Sequence, residues 1–311
     1  MIKLNPNYKL LDNHYKEVSK VIIKQIDRVL LKGKITKDST IVTLSPRLRK
    51  YLELLTNTRL LEKLIKLKPE HIENVVINIT NKWEELTIKS KSDYKIVEMI
   101  FVDYGYKQLL KESFINNIGL ETCPYCNRNY TYSVSRNRVV KPEIDHFYPK
   151  ATYPLLAVSF FNLIPSCQSC NGFNGKNKSN PFLVGLKSPY MIEKKDFTFT
   201  YKINNISFIN PICGKSSIDV FFKEKLQVNS DLFNLEDLYS LHNDHVLELI
   251  IKRKIKYSKK YREYLHNYDG LKFSNKEIDR LILGNYSEEK DIHKRPLAKL
   301  YQDIGKELGL I

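Results

Sequence analysis

The stretch CPYC (residues 123–126), KPEIDHFYPK (141–150) and FFNLIPSCQSCN (160–171) decides how the middle of this 311-residue chain folds. It carries four of the five cysteines: Cys123 and Cys126 form one Cys-x-x-Cys turn, and Cys167 and Cys170 form a second after 40 intervening residues. Each turn sets two thiolates at the spacing a tetrahedral zinc ion needs, and four thiolates close the coordination sphere with no position left for water. The expected Zn²⁺ site is therefore structural, giving folding energy to a segment too short to bury an adequate core. Cysteines paired for metal rather than for disulfides suit a reducing compartment. The fifth, Cys213, stands alone and reads as a small buried hydrophobe.

Between the two turns, Asp145 and His146 are adjacent at the end of a β-favouring run, so their side chains leave the strand in different directions. A base and a metal ligand can then stand on opposite sides of one phosphate. Glu143 shares the strand face of Asp145 and is placed to orient a ligand or a metal-bound water. Asn162 follows in FFNLIP, and Asn171 comes directly after the last cysteine. The runs NYTYSV (129–134) and VVKPEIDHF (139–147), either side of SRNR, predict a hairpin that a short helix turns into a compact ββα unit. The polar stretch NGFNGKNKSNP (171–181) reads as the exit from that helix, with Lys176 and Lys178 either on phosphate or simply solvated.

Outward from this centre the pattern is helical. Val18, Val21, Ile22, Ile26, Val29 and Leu30 recur at three and four spacing between Tyr15 and about Leu31. Ser45-Pro46 looks like a cap and first-turn proline, and Pro69 opens a helix running towards Trp83. On the other side, DFTFTYKINNISFINP (196–211) alternates around Asn204-Asn205 as a hairpin would. After Ser217 the chain reads as helical again, with residues 236–265 the longest candidate and a final helix near Pro296. The expected class is α+β, mainly helical, in three regions: 1–118, 119–190 and 191–311.

Composition narrows the function. Lys and Arg number 51 against 35 Asp and Glu, a net charge of +16, which favours a polyanion through long-range attraction and counterion release. The run IKRKIKYSKKYR (251–262) carries seven basic residues and no acid, so Lys252, Arg253, Lys256 and Lys260 are candidate backbone contacts, or else an exposed helix face. His242 and His245 are three apart on a helix, but no cysteine or acidic cluster accompanies them, and a polar helix face is the plainer reading. The first twenty residues contain no apolar signal core, and no apolar run reaches the roughly 18 residues that span a bilayer. A cytoplasmic protein without membrane partners is expected. Neither a Walker A loop nor a GxGxxG turn occurs, so nucleotide hydrolysis by this chain is not expected.

Taken together, CPYC, EIDHFYPK, FFNLIPSCQSCN and the lysine-bearing exit resemble an HNH endonuclease of the ββα-metal, zinc-knuckle type over about residues 120–180. The resemblance implies that His146 is the general base for the attacking water, a task its near-neutral intrinsic pKa suits. It implies that Asp145 and Asn171 hold a catalytic Mg²⁺ or Mn²⁺ through oxygen, and that Asn162 braces the loop carrying His146. The third position of the HNH pattern is Asn171 here rather than histidine, and Asn174 is a second candidate for the ligating amide. The whole arrangement looks similar to the nuclease subunit of Septu-type anti-phage systems, some of which accompany retrons. That resemblance implies a nucleic-acid substrate, DNA favoured over RNA, and an ATPase subunit encoded nearby. The segment DIHKRPLAKLYQDIGKEL (291–308) resembles a recurrent tail of prokaryotic HNH proteins. The rival readings are a stand-alone restriction-type HNH nuclease and a catalytically silent zinc-knuckle module that only binds nucleic acid.

Overall fold

Helix α1 (Tyr8–Lys32) is the spine of the N-terminal region in this computed structural model. Asn7 caps it by accepting from the Leu10 N–H, and Gly33 closes it in the left-handed region, φ 65°, with its N–H on the Val29 carbonyl. Its buried stripe includes Leu10, Leu11, Val18, Ile22, Ile26 and Val29, the periodicity the sequence displays. A small hairpin follows, β1 (Lys34–Lys37) and β2 (Thr40–Thr43), turning through Asp38 and Ser39 at positive φ. Then come α2 (Pro46–Asn57), α3 (Leu60–Ile65), α4 (Pro69–Lys82), α5 (Ser92–Glu98), a π-helical segment Met99–Tyr106, and α6 (Lys111–Ile118). Ser45 Oγ accepts from the Leu48 N–H at 3.0 Å, and Pro69 stands in the first turn of α4, as their residue types suggest. The structure describes all residues except 6, 58, 110, 134–141, 174, 178, 206–216, 257–258 and 269, together with the side chains of 255, 256 and 259.

In the centre, β3 (Glu143–His146) pairs antiparallel with β4 (Leu163–Ser166), and one turn of helix, α7 (Gln168–Asn171), follows at once. Strand β3 was expected to pair with NYTYSV. Residues 129–133 instead form only an isolated bridge, Thr122 to Tyr130, while 134–141 lie outside the described residues. The register Asp145↔Ile164 and His146↔Leu163 explains the choice, because LIPS is buried throughout and covers β3 with apolar surface that the tyrosine-rich run lacks.

A short α8 (Pro181–Val184) leads to the C-terminal region, where β5 (Thr198–Ile203) pairs with β6 (Ile218–Glu224). Helix was expected after Ser217. The segment IDVFFKE instead alternates buried and exposed residues with period two and pairs with β5, while the run ISFINP expected across Asn204-Asn205 lies outside the described residues. The remainder is helical: α9 (Gln227–Leu232), α10 (Leu235–Ser240), α11 (Asn243–Ile251), a π-helical segment Lys252–Lys256, α12 (Lys259–His266), α13 (Asn275–Leu283) and α14 (Ala298–Glu307). The single long helix expected over 236–265 is thus divided.

Buried apolar side chains form one connected body running from Met1 to Leu310, and specific hydrogen bonds cross it. His14 Nε2 donates to the Val158 carbonyl at 2.8 Å, Ser159 Oγ to the Leu64 carbonyl at 2.8 Å, and Tyr239 OH to the Cys126 carbonyl at 2.6 Å. The central segment is therefore clasped from both sides. Among the described residues, no helix is long and apolar enough to cross a membrane.

Candidate functional site

The four cysteines meet. Their sulfurs all lie within 4.8 Å of one another, and Cys126 Sγ is 3.9 Å from Cys167 Sγ, against the roughly 3.8 Å edge of a tetrahedron with Zn–S bonds of about 2.3 Å. All four are buried, and burial pushes the Cys123 thiol well above its ordinary value, so the cluster ionises fully only around a cation. The donor set therefore fits zinc. Two further donors point at sulfur: the Arg128 N–H at Cys126, 3.4 Å, and Asn129 Nδ2 at Cys167, 3.3 Å. The first knuckle turns at Asn127, φ 50°, whose amide holds the C-terminal segment: Nδ2 donates to Thr122 and the Ile292 carbonyl, and Oδ1 accepts from the Lys299 N–H. The tail 291–308 thus packs on the first Cys-x-x-Cys turn.

Asp145 and His146 leave β3 on opposite faces. Asp145 is buried, and both its oxygens are engaged: Oδ2 accepts from Tyr125 OH at 2.5 Å and Oδ1 from Lys176 Nζ at 3.0 Å. Tyr125 lies inside the first knuckle and Lys176 follows the second, so one carboxylate is gripped by both. Burial raises the Asp145 pKa, against the lowering pull of Lys176 and Tyr125. His146 packs edge-on against Tyr106, centroids 4.3 Å apart, and Nε2 bonds the Ala157 carbonyl at 3.0 Å. A carbonyl only accepts, so Nε2 carries the proton and Nδ1 is left as the basic nitrogen. Burial first, then the charge of Lys150, hold the ring's pKa well below the ordinary imidazole value, and the ring is neutral at pH 7.

Asn162 is fully buried in the turn before β4. Its Oδ1 accepts from the Tyr148 N–H at 2.7 Å, while Nδ2 donates to the Tyr148 and Leu156 carbonyls at 3.1 and 2.9 Å. Both ends of the loop that follows His146 are tied through this one side chain. Asn171 Nδ2 donates to Glu143 Oε2 at 2.6 Å, so the structure pairs it with the neighbour of Asp145 on β3.

The chain is similar to Septu protein PtuB of Bacillus thuringiensis. The two are 34% identical over 86 residues, which is 27% of this chain and 31% of that protein, so the likeness is distant and spans about a third of the relative's length. No family model matches the chain, and no solved structure matches it with significance.

Lys176 corrects an expectation. It was placed on phosphate or in a solvated loop, yet its side chain is fully buried, ion-paired to Asp145 and donating to the His146 carbonyl at 2.9 Å. The turn that delivers it is tight: a Cβ on Gly175 would stand 2.2 Å from the Cys170 carbonyl oxygen. Lys178, Asn174 and Cys213 lie outside the described residues, as does the side chain of Lys256. Arg253 Nε is bound to the Leu308 carbonyl at 2.9 Å, so this member of the basic run ties down the C-terminal segment, while Lys252 is half-buried and Lys260 exposed. His242 accepts from Arg128 Nε and His245 meets Tyr301 OH, and neither belongs to a metal-binding cluster among the described residues. Tyr125 and Tyr106 were missed by sequence reasoning. Tyr125 stands in plain view between two ligand cysteines, whereas nothing near Tyr106 in the sequence points to His146.

Proposed function

We propose that this chain is a metal-dependent HNH endonuclease that hydrolyses phosphodiester bonds, with DNA the favoured substrate. The reading is carried by one observation: a neutral histidine with a fixed tautomer stands beside a carboxylate at the end of a strand braced by a four-cysteine cluster. His146 acts as general base, taking the proton of the attacking water at Nδ1 while the Ala157 carbonyl keeps the ring oriented. Asn162 supports it by fixing the turn at Tyr148. Residues 119–190 form the nuclease module in this reading, and the four-cysteine site, loaded with zinc, has a structural role.

The oxygens of Glu143 and of Asn171 beside it suit a hard divalent cation such as Mg²⁺ or Mn²⁺ and would hold it, whereas Asp145, the other expected ligand, has both oxygens engaged by Tyr125 and Lys176. Such an ion supplies neutralisation of the charge growing on the leaving oxygen. Lys176 already balances the buried charge of Asp145, which leaves Glu143 and Asn171, both half-buried, as the accessible part of the donor set. Asp145 in turn keeps Tyr125 and Lys176 in register across the two knuckles.

The similarity to Septu protein PtuB supports a place in anti-phage defence, and the absence of a nucleotide-binding motif in this sequence agrees with an ATPase partner on another chain. The test is cleavage of supercoiled and linear DNA and of RNA by the purified chain with Mg²⁺ or Mn²⁺, alone and with the ATPase encoded beside it. His146→Ala should abolish cutting and leave zinc content unchanged. Cutting that survives this substitution refutes the mechanism. Binding without cutting under every condition favours the silent zinc-knuckle module, and full cutting without the ATPase favours a stand-alone nuclease.

A further inference from the structure

The ring of Tyr106 carries two cations. Lys111 Nζ lies 4.7 Å and Lys150 Nζ 4.4 Å from the centroid of this one ring, so the two charges are no more than about 9 Å apart. The same ring touches His146 edge-on at 4.3 Å. Among the described residues neither lysine has a carboxylate within ion-pair distance, whereas the nearby Lys107 is paired with Asp103 at 2.7 Å and Lys176 with Asp145. Two like charges gathered without a counter-ion are a costly arrangement unless an anion completes it. Lys150 feels this: burial, then the charges of Lys111 and Lys107, lower its pKa, and its charge together with that of Lys111 reaches His146.

The backbone explains how the pair is assembled. The π-helical segment ends on a Lys107 N–H to Val102 carbonyl bond spanning five residues, which rotates Tyr106 relative to an α-helical course. Gly105 lets the segment press against both α1 and the loop after β3, since a Cβ there would lie 2.8 Å from Ile22 and 2.9 Å from Val158. Tyr106 is thereby seated against His146, with Lys111 following at the start of α6 and Lys150 arriving from the other side in the loop after β3.

We propose that Lys111 and Lys150, held over the Tyr106 ring, form the seat for the phosphodiester presented to His146, so that the N-terminal helical region completes the active site. The inference rests on the nuclease reading above; Lys111 and Tyr106 lie outside the motifs that suggested it, and Lys150 closes the run KPEIDHFYPK. The ligand is a nucleic-acid phosphate, whose non-bridging oxygens each accept from an ammonium group.

The test measures binding of a fluorescein-labelled 20-base-pair duplex to the zinc-loaded full chain by anisotropy, with no Mg²⁺ or Mn²⁺ added and across a salt series. Lys111 is exposed and Lys150 half-exposed, so glutamine is tolerated at both without loss of fold, with circular dichroism and zinc content as controls. The Lys111→Gln/Lys150→Gln variant should lose roughly tenfold in affinity at 0.1 M salt, and its log–log salt slope should fall by about 0.9, one phosphate's worth. Lys111→Arg/Lys150→Arg should restore the slope. A matched removal of two exposed charges from α1, Lys20→Gln/Lys24→Gln, should change it less. An unchanged slope, or an equal change in the α1 control, overturns the proposal while leaving DNA cleavage by the wild type untouched. Absence of cleavage by the wild type, with the expected slope change intact, would instead count against the nuclease reading alone.

Discussion

Replacing Lys176 by methionine keeps the apolar stem and removes the cation that faces Asp145. At 3.0 Å and an effective dielectric of 20 the pair's attraction is about 5.5 kcal/mol, most of it offset by the cost of taking both groups out of water. Truncating one partner forfeits the attraction and keeps the desolvation of the other, and side-chain exposures of 0% and 3% leave Asp145 no route to solvent. The hydrogen bond to the His146 carbonyl goes as well. A destabilisation of about 3–5 kcal/mol is expected, a third or more of the stability of an ordinary domain. Urea unfolding of the zinc-loaded protein, followed through circular dichroism, measures it. Asp145→Asn should be costly too, because Lys176 is then stranded, while the double variant should recover most of the loss, giving a coupling of several kcal/mol. If Lys176→Met costs under about 1 kcal/mol, the value of an exposed ion pair, the buried clamp between the two knuckles does not exist.

Three further outcomes follow from the same geometry. Native protein should carry about one zinc per chain by elemental analysis, and Cys126→Ser or Cys170→Ser should release it with loss of the cooperative unfolding transition; retention of full zinc by both would refute the four-cysteine site. Asn162→Ala removes three hydrogen bonds and strands the buried Tyr148 and Leu156 groups, costing about 2–4 kcal/mol in the same urea assay, against well under 1 kcal/mol if that turn is held otherwise. His14 is buried between Phe114 and Phe160 with Nδ1 unpartnered, and burial lowers its folded pKa below 6.5. As pH falls below 6.5 the unfolded chain takes up a proton that the folded chain refuses, so stability is lost by at most about 1.4 kcal/mol per pH unit from this group. His14→Gln should flatten the stability profile between pH 7 and 5 by that one proton, and identical profiles would show that His14 is not sealed.

Much of the centre was legible because its signals are local. Two Cys-x-x-Cys turns declare a metal site through thiol chemistry and spacing, whatever surrounds them, and the structure brings those sulfurs together. The alternation of Asp145 and His146 across β3 follows from strand geometry alone. The apolar periodicity of α1 and the caps at Ser45 and Pro69 are likewise nearest-neighbour properties. Strand β6 was readable in principle, since IDVFFKE alternates, but the helical text after it masked a segment only seven residues long.

The tertiary structure decided what depends on partners distant along the chain. Which run pairs with β3 is a competition between segments of similar β-propensity, settled by burial on the covering face rather than by either sequence. Lysines at 111, 150 and 176 look alike in the sequence, yet one is sealed against Asp145 and two stand unpaired over Tyr106. Local pattern specifies a residue's backbone course, but the sign of a lysine's contribution depends on the dielectric and the countercharge it meets, and only the folded chain brings those to it.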